Sequence, residues 1–135
     1  RGPIDVNGKG EEMPVIDWEE MSILDTLEMV RRQDEATYIN VIAEKIQAGR
    51  ATDADWEKLD ELRSPEYQIK QIDQQAEDMA KYVSHVPRSW FKKSAPDTLD
   101  FDAPETFKML QPKRFMQLNQ MLLMNDVQAD LISGN

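Results

Sequence analysis

The side chains that most often perform catalysis are scarce in this chain, and their spacing does not favour it. His85 is the only histidine and cysteine is absent, so no cysteine–histidine pair can form. A serine or threonine nucleophile would need that same histidine and a carboxylate, and no spacing favours such a triad. The glycines form neither a Gly-x-Gly-x-x-Gly sequence nor a phosphate-binding loop. We therefore predict no catalytic and no cofactor-binding residue, and we expect that the protein is not an enzyme.

Carboxylates are abundant, so metal binding is the next chemistry to consider. Helical bundles can hold a metal through Glu-x-x-His pairs, and this sequence has none. The stretch 52-TDADWEKLDEL-62 begins like a calcium loop but lacks the glycine and the distal glutamate at the required positions. Asp17, Glu19, Glu20 and Asp25 surround a predicted helix start, where acids interact favourably with the helix dipole. We predict no metal site, and we interpret these acids as caps and solvated surface.

The charge balance limits the partners that the chain can bind. Its 26 acidic and 16 basic residues give a formal charge of −10, with the acidic excess in residues 1–84. Such a surface repels phosphate backbones, so direct nucleic-acid binding is disfavoured, while basic partners and imitation of nucleic acid stay open. There is no apolar run long enough to span a bilayer and no signal-peptide pattern. We expect an intracellular protein that is neither secreted nor inserted in a membrane.

Apolar residues recur at helical spacing along most of the chain. A capping box at 22-SILD-25 opens a long helix, or two helices with a break near Asp34, that ends at Gly49. Thr52 caps a short second helix, and Ser64 with Pro65 begins the third. A fourth helix is predicted over 102–110 with Asp102 as its cap, and a fifth from Pro112. The predicted fold is all-α, a small irregular bundle of five or six helices with an extended N-terminal arm.

This pattern also divides the chain into regions. Residues 1–16 combine Gly, Pro and charges around 7-NGKG-10, so they predict an extended arm that becomes ordered on a partner, or at most a weak hairpin. Residues 17–86 form an acidic helical region, and 87–101 a proline-bounded loop with a Trp-Phe anchor. Residues 102–135 form C-terminal Met/Phe-rich helices that we expect to make one domain with 17–86.

Two groups of apolar residues are candidates for partner contact. The first is the loop 86-VPRSWFKKSAPDTLDF-101, in which Trp90 and Phe91 are expected to clamp the loop onto the bundle or a partner. Arg88, Lys92 and Lys93 are expected to reach toward acidic helices. The last third is rich in methionine, which adapts to irregular partners, although ordinary core filling is the alternative. The candidate partner-binding residues are Trp90, Phe91, Phe107, Phe115, Met116, Met121 and Met124.

The order of features also resembles a known class of protein. An acidic lead, 11-EEMPVIDWEEM-21, precedes a helical middle and the late 102-DAPETFKMLQPKRFMQLNQML-122, where a proline-bounded turn precedes an amphipathic last helix. In this the chain resembles small helical proteins of tailed-phage structural modules, notably tail assembly chaperones. The resemblance transfers no catalytic residue. It implies a viral assembly or structural protein in the host cytoplasm or virion, which binds hydrophobic segments of a tail or tape-measure component.

We therefore predict a non-enzymatic protein–protein interaction module that binds hydrophobic or helical segments of a partner, and we leave homo-oligomerisation open. One alternative is an acidic inhibitor that imitates nucleic acid, in which acidic faces of residues 17–35 and 53–78 occupy the basic groove of an enzyme. Another is an accessory subunit of a cellular complex, with the arm lying along neighbouring chains. An enzyme would require a carboxylate cluster that only folding brings together.

Overall fold

Helices account for most of the structure, a computed structural model that describes residues 5–125. The prediction of a helical bundle with five or six helices is confirmed, because five helices lie in this described range. They are α1 (Ile23–Gln47), α2 (Asp53–Arg63), α3 (Pro65–Tyr82), α4 (Pro104–Phe107) and α5 (Pro112–Leu123). No helix in the described range is both long enough and apolar enough to cross a membrane.

The helix starts follow from the capping residues in the sequence. Ser22 Oγ accepts a hydrogen bond from the Asp25 amide at 3.1 Å, and Ser64 caps α3, where Pro65 occupies the first helical position. Thr52 and Asp55 form a complete capping box at the start of α2. Of the two alternatives for the first helix, the structure shows the single one, because α1 continues through residue 34 without a break.

Helix α4 is shorter than predicted, because long-range backbone pairing takes over its C-terminal end. The expected helix over 102–110 is a single turn, and Asp102 does not cap it. Beyond the turn, Leu110 bridges Phe91, and the amide of Gln111 donates to the Trp90 carbonyl at 2.9 Å. Backbone groups that would extend the helix are thus satisfied by the proline-bounded loop.

Four short strands connect the N-terminal region to the bundle, and the sequence had indicated at most a weak hairpin there. They are β1 (Asp5–Val6), β2 (Glu12–Met13), β3 (Val15–Ile16) and β4 (Val83–His85). Strands β1 and β2 form the hairpin that was the alternative to an extended arm, and β3 pairs antiparallel with β4. Pro14 and Ile16 are buried. Residues 14–16 are therefore part of the folded domain, because β3 pairs with β4, the strand that directly follows α3.

The buried apolar side chains form two separate clusters. We call the larger one the main core, which α3, α4, α5, the loop after β4 and the first half of α1 build together. The second core consists of Ile42, Leu59 and Leu62, with Ile39 and Ile46 half-buried against it. Helix α1 buries Thr26 and Met29 in its first half but Ile42 in its second half. It therefore presents different faces to the two cores, and no single apolar stripe marks its buried side.

Candidate functional site: the outer face of helix α1

Three of the predicted contact residues lie inside the protein. Trp90, Phe91 and Phe107 are 2%, 2% and 0% exposed and belong to the main core. The guanidinium of Arg114 lies 4.5 Å from the centre of the Trp90 ring, a cation–π contact that covers its remaining face. The Trp-Phe anchor therefore clamps the loop onto its own bundle. A partner could reach these rings only if the core opened, so the structure gives them a packing role.

The basic residues of the loop do not reach the acidic helices. Arg88 donates instead to the carbonyl oxygens of Lys92 at 3.2 Å and Ala95 at 2.7 Å, because the loop turns back on itself within reach of the guanidinium. Lys92 and Lys93 are exposed, and neither takes part in an ion pair within the described part of the chain.

The remaining predicted contact residues divide between core and surface. Phe115 and Met121 are half-buried against the main core, while Met116 and Met124 are 68% and 79% exposed. The two exposed methionines are eight positions apart, about 12 Å along a helix axis. They do not by themselves form a continuous surface, and isolated exposed apolar side chains are common in folded proteins. The end of the predicted C-terminal helical region, residues 126–135, lies outside the described residues.

Helix α1 carries more exposed large apolar side chains than any other described element. Ile23, Leu24 and Leu27 are 63%, 78% and 44% exposed, and Tyr38 and Val41 follow at 36% and 42%. The 3-10 turn that leads into the helix adds the half-exposed ring of Trp18. Exposed apolar side chains that are close together, as Ile23, Leu24 and Leu27 are, mark a candidate protein contact site.

Six residues of α1 lie at the spacing of a coiled-coil seam, and five of them are exposed while Val30 is half-buried. Alternating steps of four and three residues connect them, which keeps them on one side of a helix that packs along another. We call this row the α1 seam: Ile23, Leu27, Val30, Asp34, Thr37 and Val41. It is about 27 Å long at 1.5 Å per residue. The hydroxyl of Thr37 donates to the Gln33 carbonyl at 2.9 Å, so it needs no hydrogen bond from a partner.

Polar contacts hold α1 in place on the side away from the seam. The Asp25 carboxylate accepts hydrogen bonds from the Tyr82 hydroxyl and from Lys81 Nζ, the latter at 2.9 Å. One helical turn beyond Met29, Arg32 pairs with Asp78 of α3 at 2.6 Å. Burial raises the pKa of Asp78, although the Arg32 guanidinium acts in the opposite direction. The seam is thus presented on a helix that is fixed to the main core.

The charges beside the seam are mostly neutralised within the helix. Arg31 bonds Glu28 at 2.7 Å and Glu35 at 3.1 Å, and the pKa of its guanidinium is raised by these carboxylates, Glu28 first. Asp34 is the exception. Its exposed carboxylate has no ion-pair partner between residues 5 and 125, and it lies within the seam between Val30 and Thr37.

A cleft of about 220 Å³ between α1, α3 and α5 is the second feature of this region. The amide side chains of Gln33, Gln75 and Asn119 line it together with the Arg32–Asp78 pair. Those two charges neutralise each other, so the cleft offers a ligand amide groups but no unpaired charge. The seam has exposed apolar side chains toward both ends and an unpaired carboxylate between them, which makes it the more specific candidate.

The residues considered for catalysis and metal binding are dispersed. The His85 ring packs edge-on against Phe101, with the ring centres 5.6 Å apart. Among residues 5–125, no three histidine or acidic side chains are grouped as ligands of a metal would be. Asp25 and Asp55, which were considered as ligands, are instead bound to Lys81 and Lys45.

The contact residues predicted from the sequence lie in the loop and the C-terminal helices, so the α1 seam was not among them. Its signal was nevertheless present, because Ile23, Leu27 and Val30 have the four-three spacing in the printed sequence. Asp34 and Thr37 interrupt the apolar row, and the sequence alone does not show which face of α1 is buried. Comparison of this chain with protein-family models, with curated proteins and with solved structures finds no match.

Proposed function

We propose that the protein is a non-enzymatic interaction module that binds a helix of another protein along the α1 seam. Following the sequence resemblance, the proposed setting is tailed-phage assembly, with a tail or tape-measure component as the partner. The observation that carries the binding proposal is the set of exposed apolar side chains on a fixed helix, with Ile23 and Leu27 of the seam near its start and Val41 near its end. These residues lie on one side of α1 at coiled-coil spacing. A partner helix would remove these side chains from water in the way that helix-in-groove complexes do.

The exposed side chains are large enough to drive such binding. Fully burying one Leu or Ile side chain is worth about 1.5–3 kcal/mol, and part of this remains available at each exposed seam position. Trp18 and Tyr38, which are also exposed, are of the residue types that contribute most at interfaces. The seam would be the centre of the interface; Trp18 would extend it beyond Ile23, and Tyr38 would widen it beside Val41.

The test replaces Leu27 of the seam and its exposed neighbour Leu24 together by glutamine, which keeps helix propensity high. Because both side chains are exposed, the double variant should change the free energy of unfolding by less than about 0.5 kcal/mol per residue. The matched control is Ile69→Gln with Ile72→Gln on α3, where the side chains are 60% and 44% exposed. Proteins captured from a native lysate by the wild type and by the α3 control should be lost from the Leu24/Leu27 variant.

Two other results would contradict the proposal. If Met116→Gln with Met124→Gln abolishes capture while the Leu24/Leu27 variant retains it, the contact surface is the C-terminal one. If capture by the wild type is lost at high salt and is unaffected by the Leu24/Leu27 variant, binding is electrostatic, as expected for an acidic inhibitor that imitates nucleic acid.

A further inference from the structure

We infer that the helix that binds the α1 seam belongs to a basic partner and carries a lysine or arginine that faces Asp34. This inference rests on the proposed function, because it specifies the chemistry of the helix that the seam binds. It is carried by the position of Asp34 and by the charges around it.

Asp34 lies inside the row of residues that a partner helix would cover. It is at a seam position, with Val30 on one side and Thr37 on the other. A carboxylate covered by an apolar helix loses its hydration, which is costly unless a cation or hydrogen-bond donors replace the water. In helical pairs a single polar residue at such a position selects the partner and its register. Asp34 would therefore discriminate against helices that are entirely apolar.

The cation cannot come from the neighbouring basic residues of α1 without breaking existing contacts. Arg31 is bonded to both Glu28 and Glu35. Arg32 is directed to the opposite side of the helix, where it is 2.6 Å from Asp78. Lys45, near the C-terminal end, is 3.2 Å from Asp55. A positive charge opposite Asp34 must therefore be supplied by the partner.

A second copy of the chain does not supply it. None of the six seam residues is basic, so a copy packed in parallel would place Asp34 opposite Asp34. A copy packed antiparallel about the middle of the seam would place Asp34 opposite Val30, where the carboxylate would lose water without gaining a partner. Each copy also carries a formal charge of −10, so association of two copies is opposed by repulsion.

The N-terminal end of the seam has the same charge requirement. Asp17, Glu19 and Glu20 are exposed beside Trp18, immediately before α1. None of the three takes part in an ion pair between residues 5 and 125. A partner helix that continues past Ile23 would meet these acids, so basic residues at that end would increase its association rate and its specificity. The partner that fits is a basic amphipathic helix of about 18 residues or more.

The probe for this inference is a set of three synthetic helical peptides with leucine and isoleucine at heptad spacing. They differ only at the central position, which would face Asp34 and is lysine, leucine or glutamate. Each peptide is made in both sequence directions, so that parallel and antiparallel packing are both sampled. Titration calorimetry with the full chain should show the lysine peptide binding at least about tenfold more tightly than the glutamate peptide. Asp34→Lys should reverse this preference. Because Asp34 is exposed, the substitution should leave the fold intact.

The outcomes separate this inference from the proposed function. Equal binding of the three peptides, lost in the Leu24/Leu27 variant, would overturn the role of Asp34 while the seam remains a binding site. Absence of binding by every peptide, or binding that the Leu24/Leu27 variant retains, would overturn both. A dimer of the chain in sedimentation that the same variant dissociates would show that a second copy occupies the seam, and would overturn the basic partner.

Discussion

Individual polar residues, together with the apolar ones buried in the two cores, fix the position of α1. The Arg32–Asp78 pair is the clearest case, since both side chains are nearly buried, with 13% and 14% of each exposed. Arg32 Nε has no hydrogen-bond partner within the described structure. Burial raises the pKa of Asp78, which indicates that desolvation outweighs the attraction of Arg32 for that carboxylate. We therefore expect the pair to specify where α1 lies more than it stabilises the fold.

Substitution of one residue of the Arg32–Asp78 pair should therefore have a different effect from substitution of both. Asp78→Ala removes the close partner of a nearly buried guanidinium, which keeps only Glu28 at 3.8 Å, and should lower the free energy of unfolding by about 3 kcal/mol. Replacing both residues, Arg32→Met with Asp78→Leu, removes both buried charges and should restore wild-type stability or exceed it. Urea unfolding of the three proteins measures both effects. A double variant as unstable as Asp78→Ala would show that the ion pair is itself a major source of stability.

Asp55 predicts a pH dependence of stability. The Thr52 amide donates to its carboxylate at 2.9 Å and Lys45 pairs with it at 3.2 Å, and these contacts lower its pKa from the ordinary 3.8, the Thr52 bond most. As pH falls, the carboxyl group is protonated in the unfolded chain before it is protonated in the folded chain. The stabilisation is therefore complete above the unfolded pKa and is lost as the pH falls from that value through the lower folded pKa. The stability difference between wild type and Asp55→Asn should therefore be largest near neutral pH and shrink in acid.

The control for this effect is Lys45→Met, which removes the ion pair but keeps the Thr52 hydrogen bond. It should reduce the pH-dependent part of the difference without abolishing it, because the backbone bond is the larger cause. Urea unfolding at a series of pH values provides the measurement. A difference that is constant with pH would contradict the assigned role of the carboxylate.

At the scale of the element, sequence predicted what local chemistry determines. Ser22, Thr52 and Ser64 each cap the helix expected of them, because a cap depends on residues within one turn. The end of α4 was not predictable in this way, since its last carbonyls and amides pair with the distant segment at Phe91. Strands β3 and β4 were not predicted, because at two and three residues they are too short to show an alternating pattern.

The candidate site was less predictable than the fold, for a related reason. In the sequence, the apolar residues of α1 and those of the loop could each belong to a core or to an interface. Only tertiary packing decides which of these they form. Phe107 fills the centre of the main core, whereas Leu24 is left in water. Helix α1 also changes its buried face between Met29 and Ile42, so its exposed row cannot be found by assuming one apolar face.

The end of α1 gives a prediction about a single glycine. Gly49 has a φ of +70°, in the left-handed region that ends many helices, and a Cβ there would meet no atom within 4 Å. Gly49→Ala should therefore cost about 1 kcal/mol in thermal or urea unfolding, purely from the backbone conformation. Gly8→Ala is the matched control, because its site is equally open and its φ is not positive. Equal effects of the two changes would argue against the conformational explanation.

At the scale of the whole molecule, the two cores imply that the fold does not have one uniform stability. The second core has only Ile42, Leu59 and Leu62 as fully buried apolar residues, and α2 contributes two of them. The main core contains Phe107, Leu118 and Leu122, which are completely buried. Smaller clusters of this kind open at lower free energy than the main core of a domain.

Native-state hydrogen exchange should therefore show α2 opening before α3 and α5. Ile42→Ala should lower the opening free energy of α2 and of the end of α1 by about 2–4 kcal/mol, while amides of β4 and α5 change little. Phe107→Ala, as the contrasting variant, should lower protection throughout the chain.

Because α1 crosses both cores, opening of the second core also releases the end of the seam at Val41. A helix bound along the whole seam should for this reason slow exchange in α2, which it does not touch, and one bound only near Ile23 should not. If Ile42→Ala instead lowers protection evenly in both cores, the molecule unfolds as a single unit, and the two halves of the seam are held together without a partner.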